Sequence, residues 1–97
     1  VSTVHISIGN SDGRLTTVEW ADYYHDTDEF IRSQALQVYG AWHSLPAVPW
    51  LNACWAIQAD EFDDLLRVGL AELARKYGQD SIAWLEGETE FITGTTR

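Results

Sequence analysis

The sequence predicts an α+β domain in which two helices cover one face of a mainly antiparallel sheet. Three observations carry that expectation. Val4, Ile6 and Ile8 alternate with His5 and Ser7, the pattern of a strand with one buried face. Two later segments, one after Thr16 and one after Asp60, place apolar residues at spacings of three and four, as helices with one packed face do. Further strand-like runs occupy 36–44, 52–58 and 81–93. The resulting order, strand–helix–strand–strand–helix–strand, is that of a ferredoxin-like split β-α-β sandwich.

The first strand ends at Gly9-Asn10-Ser11-Asp12-Gly13, a cluster of strong turn formers. Thr16 then supplies a helix cap, with Glu19 three positions on, and Leu15 and Trp20 take the flanking apolar positions of a hydrophobic staple. Trp20, Tyr23, Tyr24, Thr27, Phe30, Ile31 and Gln34 recur at helical spacing, so a helix is expected to about Ala35 or Leu36. In the strand over 36–44, simple alternation puts Val38, Gly40 and Trp42 on one side and Tyr39, Ala41 and His43 on the other. Pro46 and Pro49 interrupt regular structure before the strand over 52–58.

Asp60 is the expected cap of the second helix, with Phe62, Leu66, Leu70, Leu73 and Tyr77 on its apolar face. Gly69 weakens that helix by about 1 kcal/mol relative to Ala, which suggests close packing there. Gly78 follows Arg75 and Lys76 and suits the C-terminal cap. The segment over 81–93 reads as one long edge strand or as a hairpin turning at Glu86-Gly87. The hairpin is preferred, because it puts Ile82, Trp84 and Phe91 on one face and opposes Trp84 to Thr89.

The chain has 97 residues, 45% of them hydrophobic, so a single folded domain over 1–97 is expected rather than disorder. Trp20, Trp42, Trp50, Trp55 and Trp84 provide large side chains for a small core. Cys54 is the sole cysteine, which excludes an intrachain disulfide and favours a reducing compartment. The sequence shows no apolar run of membrane-spanning length and no signal-peptide pattern, so a cytoplasmic protein is expected.

Charge sets the functional expectation. Fifteen Asp and Glu against six Lys and Arg give a formal net charge of -9. Such a surface repels nucleic-acid phosphates and anionic membranes and attracts basic proteins. Glu19, Asp22, Asp26 and Glu29, at intervals of three, four and three, fall on one helix face. Asp60, Glu61, Asp63 and Asp64 gather at the next helix start, where the helix dipole favours them. Glu86, Glu88 and Glu90 alternate near the C-terminus, where they would blunt an exposed strand edge.

These groups point to a non-enzymatic binding protein that covers a basic partner surface. The stripe Glu19, Asp22, Asp26 and Glu29 would lie at its centre, with Tyr24 and Trp50 as anchors. Carboxylates at fixed helical spacing can take the place of phosphates, so an inhibitor of nucleic-acid-handling machinery is one expected subclass. Immunity proteins of bacterial toxins and phage-encoded inhibitors share this small, acidic, cofactor-free profile. Two alternatives stand beside it. One is a structural or self-assembling accessory protein, a homo-oligomer joined by an exposed strand edge and aromatics. The other is a small enzyme or ligand-binding domain that uses His43 and Cys54 as a Cys–His pair across neighbouring strands. Neither the three histidines with Cys54 nor the 9–13 turn has the spacing of a zinc, calcium or phosphate site, so no cofactor or metal is expected.

Overall fold

Six elements follow in the order β1 Thr3–Gly9, α1 Thr17–Gln34, β2 Gln37–His43, β3 Asn52–Gln58, α2 Asp64–Lys76 and β4 Ala83–Gly87. They are seen in a computed structural model that describes residues 3–10, 13–44, 51–60, 63–88 and 90–94. The strands form one sheet in the order β2-β3-β1-β4, and every neighbouring pair is antiparallel. Both helices pack on one face. This is the ferredoxin-like α+β sandwich.

Register sorts the sheet into two faces, because directly opposed residues point the same way. Val4 opposes Ile57, Ile6 opposes Trp55 and Ile8 opposes Ala53. All six are buried beneath the helices. Burying each of Val4, Ile6, Ile8 and Ile57 contributes about 1.5–3 kcal/mol. Trp84 joins the same side from β4, opposite Ile6. From β2 come Val38, opposite Ile57, and Ala41, opposite Trp55.

Simple alternation cannot put Val38 and Ala41 on the same face. A bulge between Val38 and Gly40 does so, by inserting Tyr39 as an extra residue. The expected grouping of Val38 with Gly40 and Trp42 is therefore corrected. Gly40 and Trp42 face away from the helices, opposite Ala56 and Cys54, while Val38 turns towards them.

The start of α1 is built as the sequence predicts. The Thr16 hydroxyl accepts from the Glu19 N–H, and the Glu19 carboxylate accepts from the Thr16 N–H at 2.9 Å. Leu15 and Trp20 pack against the core. In the preceding loop the Asn10 side chain pairs with both backbone groups of Leu15, accepting at 3.0 Å and donating at 2.9 Å. Gly13 supplies the positive φ of 69° that closes this turn. Tyr23, Thr27 and Ile31, four residues apart, form the buried stripe of the helix.

Helix α2 starts later than expected. Its N-cap is Asp63 rather than Asp60, and Asp63 turns its carboxylate to the Arg67 guanidinium at 3.1 Å. Phe62 lies outside the described residues. Leu66, Leu70 and Ala74 are buried, with Leu73 and Tyr77 packed beside them. The helix closes in a Schellman motif, with Gly78 N–H donating to Arg75 O and Gln79 N–H to Ala74 O, around a φ of 66° at Gly78. The two helices meet where the Phe30 ring fills the space over Gly69. A Cβ there would stand 1.9 Å from Phe30 Cζ.

The C-terminal hairpin is not formed among the described residues. β4 is a single edge strand, residues 90–94 carry no strand, and Phe91 is 86% exposed. Gly87 does not take a positive φ, so the chain makes no tight primed turn at Glu86-Gly87. Thr89, its expected partner for Trp84, lies outside the described residues.

Candidate functional site

The four carboxylates of the α1 stripe have four different surroundings. Glu19 is held in the capping box, and its acceptance of the Thr16 backbone N–H keeps its carboxyl below the usual carboxylate range. Asp22 is exposed and makes no hydrogen bond or ion pair among the described residues. Asp26 turns sideways towards α2. There it accepts from the Tyr77 hydroxyl and, at 3.2 Å, from Lys76 Nζ. The Tyr77 hydrogen bond first and Lys76 second hold its carboxyl below the ordinary value. Glu29 stands outward, 2.8 Å from His25 Nε2 one turn earlier. Asp22 and Glu29 are thus the outward members, two turns apart or about 10.5 Å along the axis.

Tyr24 is half-buried. Its ring stacks on Trp55 with centroids 5.3 Å apart and meets His43 edge-on at 6.0 Å. One turn on, Asp28 accepts from the Trp55 indole N–H at 2.8 Å and from Arg32 Nε at 3.0 Å. Sequence reading passed over Asp28 as a core contact, because nothing local marks a carboxylate that reaches an indole 27 residues away. Trp50 lies outside the described residues.

His43 and Cys54 do not meet as a Cys–His pair. His43 opposes Ala53 on the helix side of the sheet, whereas Cys54 opposes Ser7 and Trp42 on the other side. Adjacent strands bring the two residues close in register, but the pleat sends their side chains through opposite faces. Among the described residues no three His, Cys, Asp or Glu side chains are grouped to hold a metal ion. No described helix is long and apolar enough to cross a membrane.

The described cations are all consumed locally. Arg14 pairs with Asp80, Arg32 with Asp28, Arg67 with Asp63 and Glu86, Arg75 with Glu72, and Lys76 with Asp26. No described Lys or Arg reaches Glu19, Asp22, Glu29, Asp64, Glu88 or Glu90. A groove of about 500 Å³ runs between α2 and β4. The Arg67 guanidinium lies over Trp84 there at 4.1 Å, but Asp63 and Glu86 already occupy its charge.

The sheet face away from the helices is the region that sequence reading left without a role. Among the described residues it carries no Asp, Glu, Lys or Arg, and Trp42 and Leu85 stand exposed on it. The signal was present as the alternate positions of four strands, but reading it requires the strand order and the bulge at Tyr39. Set against protein-family models, curated proteins and solved structures, the chain finds no match.

Proposed function

We propose that this chain is a non-enzymatic binding module that docks its helix layer on a basic surface of a partner protein. An inhibitor or immunity-type role against nucleic-acid-handling machinery is the subclass that suits the charge. One observation carries the reading: every described Lys and Arg is already in an ion pair, while Glu19, Asp22 and Glu29 stay unmatched by Lys or Arg along α1. These carboxylates sit on a capped helix rather than a loop, so their spacing is set before any encounter. Asp26 buttresses the layer through α2, and Asp22 and Glu29 face the partner with Tyr24 at the margin. Attraction between the surfaces speeds encounter and sets orientation.

The test is capture of partners from the native host on the immobilised chain, at low and at high salt. Binding kinetics of the recovered protein then follow. A partner rich in surface Lys and Arg is expected, with an association rate that falls as salt rises. The double reversal Asp22→Lys, Glu29→Lys should lower that rate at least tenfold. An unchanged rate, or tight binding of the chain to bare duplex DNA, overturns the proposal.

A further inference from the structure

Among the described residues the open sheet face carries no Asp, Glu, Lys or Arg, and it exposes Trp42 and Leu85. A chain carrying a net charge of -9 opposes contact with its own copies wherever carboxylates face outward. Sheet-to-sheet approach across the open face lets two copies meet with their acidic helices pointing apart. We infer that this face is a homodimer interface, in which two copies pack sheet against sheet about a two-fold axis parallel to the strands.

The shape of the face supports that symmetry. Such an axis lays β2 of one copy over β4 of the other, and a two-fold interface must be complementary to itself. On β2 the Trp42 indole folds over Gly40, where a Cβ would stand 2.7 Å from the ring, and it forms a raised aromatic edge. On β4 the same rows carry Ala83 and Leu85, since Ser7 opposes both Cys54 and Ala83 and His5 opposes both Ala56 and Leu85. The indole of each copy therefore meets the low Ala83 position and the exposed Leu85 of the other. A buried Trp against an aliphatic side chain is a favoured anchor in such contacts.

Charge placement agrees. Glu88 and Glu90 border the face at one corner, lining a hollow with Thr3, His5 and Leu85. The proposed axis sends the corners of the two copies to opposite edges of the sheet, about 14 Å apart over three strand spacings. That distance exceeds the screening length of about 8 Å in physiological salt. Just beyond this corner Phe91 and Ile92 are 86% and 93% exposed, and they extend the apolar edge.

Area sets the strength. Four strands about 4.8 Å apart, three of them seven residues long and β4 five, give a flat footprint of roughly 420 Å² per copy. Two copies bury roughly 840 Å² before side-chain relief and the Phe91–Ile92 segment are added, below the 1,200 Å² or so at which stable interfaces begin. The dimer is accordingly weak and concentration-dependent.

Sedimentation equilibrium of the full chain from about 1 μM to 1 mM tests this. The mass should rise from 11.0 kDa towards twice that value. Added salt should tighten the dimer, because it screens like charges; the proposed basic partner should be weakened by the same salt, so the two readings fail separately. Leu85→Glu should weaken self-association at least tenfold, and Ala83→Glu should do the same. Leu85 is 68% exposed, so folding should persist, as circular dichroism of the dilute protein would verify. Val68→Glu, on the exposed surface of α2, should leave self-association unchanged. A monomer at every concentration overturns the inference. A dimer indifferent to Leu85→Glu and Ala83→Glu, or broken by Val68→Glu, also overturns it.

Discussion

Trp55 and Trp42 stand on neighbouring strands and meet opposite fates. Trp55 is 0% exposed, stacked under Tyr24 with its N–H on Asp28; Trp42 is 57% exposed on the bare side of the sheet. The residue type is the same and the strands are hydrogen-bonded partners. What differs is the phase of the pleat. The helix-covered face buries its apolar groups and carries its charge on the outer side of the helices. The other face exposes Trp42 and Leu85 and, among the described residues, carries no Asp, Glu, Lys or Arg. Hydrophobicity alone therefore does not say which aromatic is core and which is surface in this chain.

The sharpest way to break that contrast is to delete each indole. Trp55→Ala should cost about 3–5 kcal/mol of stability, since it opens a cavity and leaves Asp28 without the indole donor. Trp42→Ala, measured where the protein is monomeric, should stay within about 0.5 kcal/mol of the parent. Urea unfolding followed by tyrosine fluorescence and circular dichroism reads both. Equal losses would mean that the two faces are not distinguished as described.

Next in size is the helix contact. Gly69→Ala would raise helix propensity by about 1 kcal/mol, yet the Phe30 ring occupies the space its methyl needs. Overpacking should win, with a net loss of about 1–3 kcal/mol in the same assay. A stabilised variant would show that the helices are free to separate.

A third contrast is electrostatic and separates the helix layer from the bare face by pH. Asp26 is held below its ordinary value chiefly by the Tyr77 hydroxyl and then by Lys76, so folding favours its ionised form. That contribution is complete above about pH 4 and is lost as pH falls through the lowered folded value. At the alkaline end, burial pushes Tyr23 and Tyr77 up to about 12, and folding favours both neutral phenols. Stability should hold below about pH 10 and fall between pH 10 and 12. Urea midpoints across pH would show both limbs, and Asp26→Asn should flatten the acid limb.

Local signals were the most legible part of the sequence. The Thr16–Glu19 capping box, the Val4–Ile6–Ile8 alternation, the span of β3 and the Gly78 cap each depend on neighbours within a few residues, and each is found where expected. Gly69 was legible as a packing residue, although its partner Phe30 was not. The failures are non-local. The bulge at Tyr39 obeys cross-strand pairing that no short window contains, so the faces of β2 were misassigned. The α2 cap moved from Asp60 to Asp63, and the C-terminal pattern suggested a hairpin although β4 pairs with β1 instead. In the candidate site, helical spacing puts four carboxylates on α1, but only tertiary packing shows that Asp26 is diverted to Tyr77 and Lys76 while the Asp22 side chain makes no hydrogen bond or ion pair among the described residues.

The seat of Phe30 over Gly69 has a further consequence. One turn away along α2 the equivalent positions are Leu65 and Leu73, whose side chains leave no such notch. Among the described residues the Phe30 ring and Gly69 thus form a notch that a one-turn slip of either helix would empty. The seat fixes the offset of α2 against α1, and with it the place at which Lys76 and Tyr77 reach Asp26.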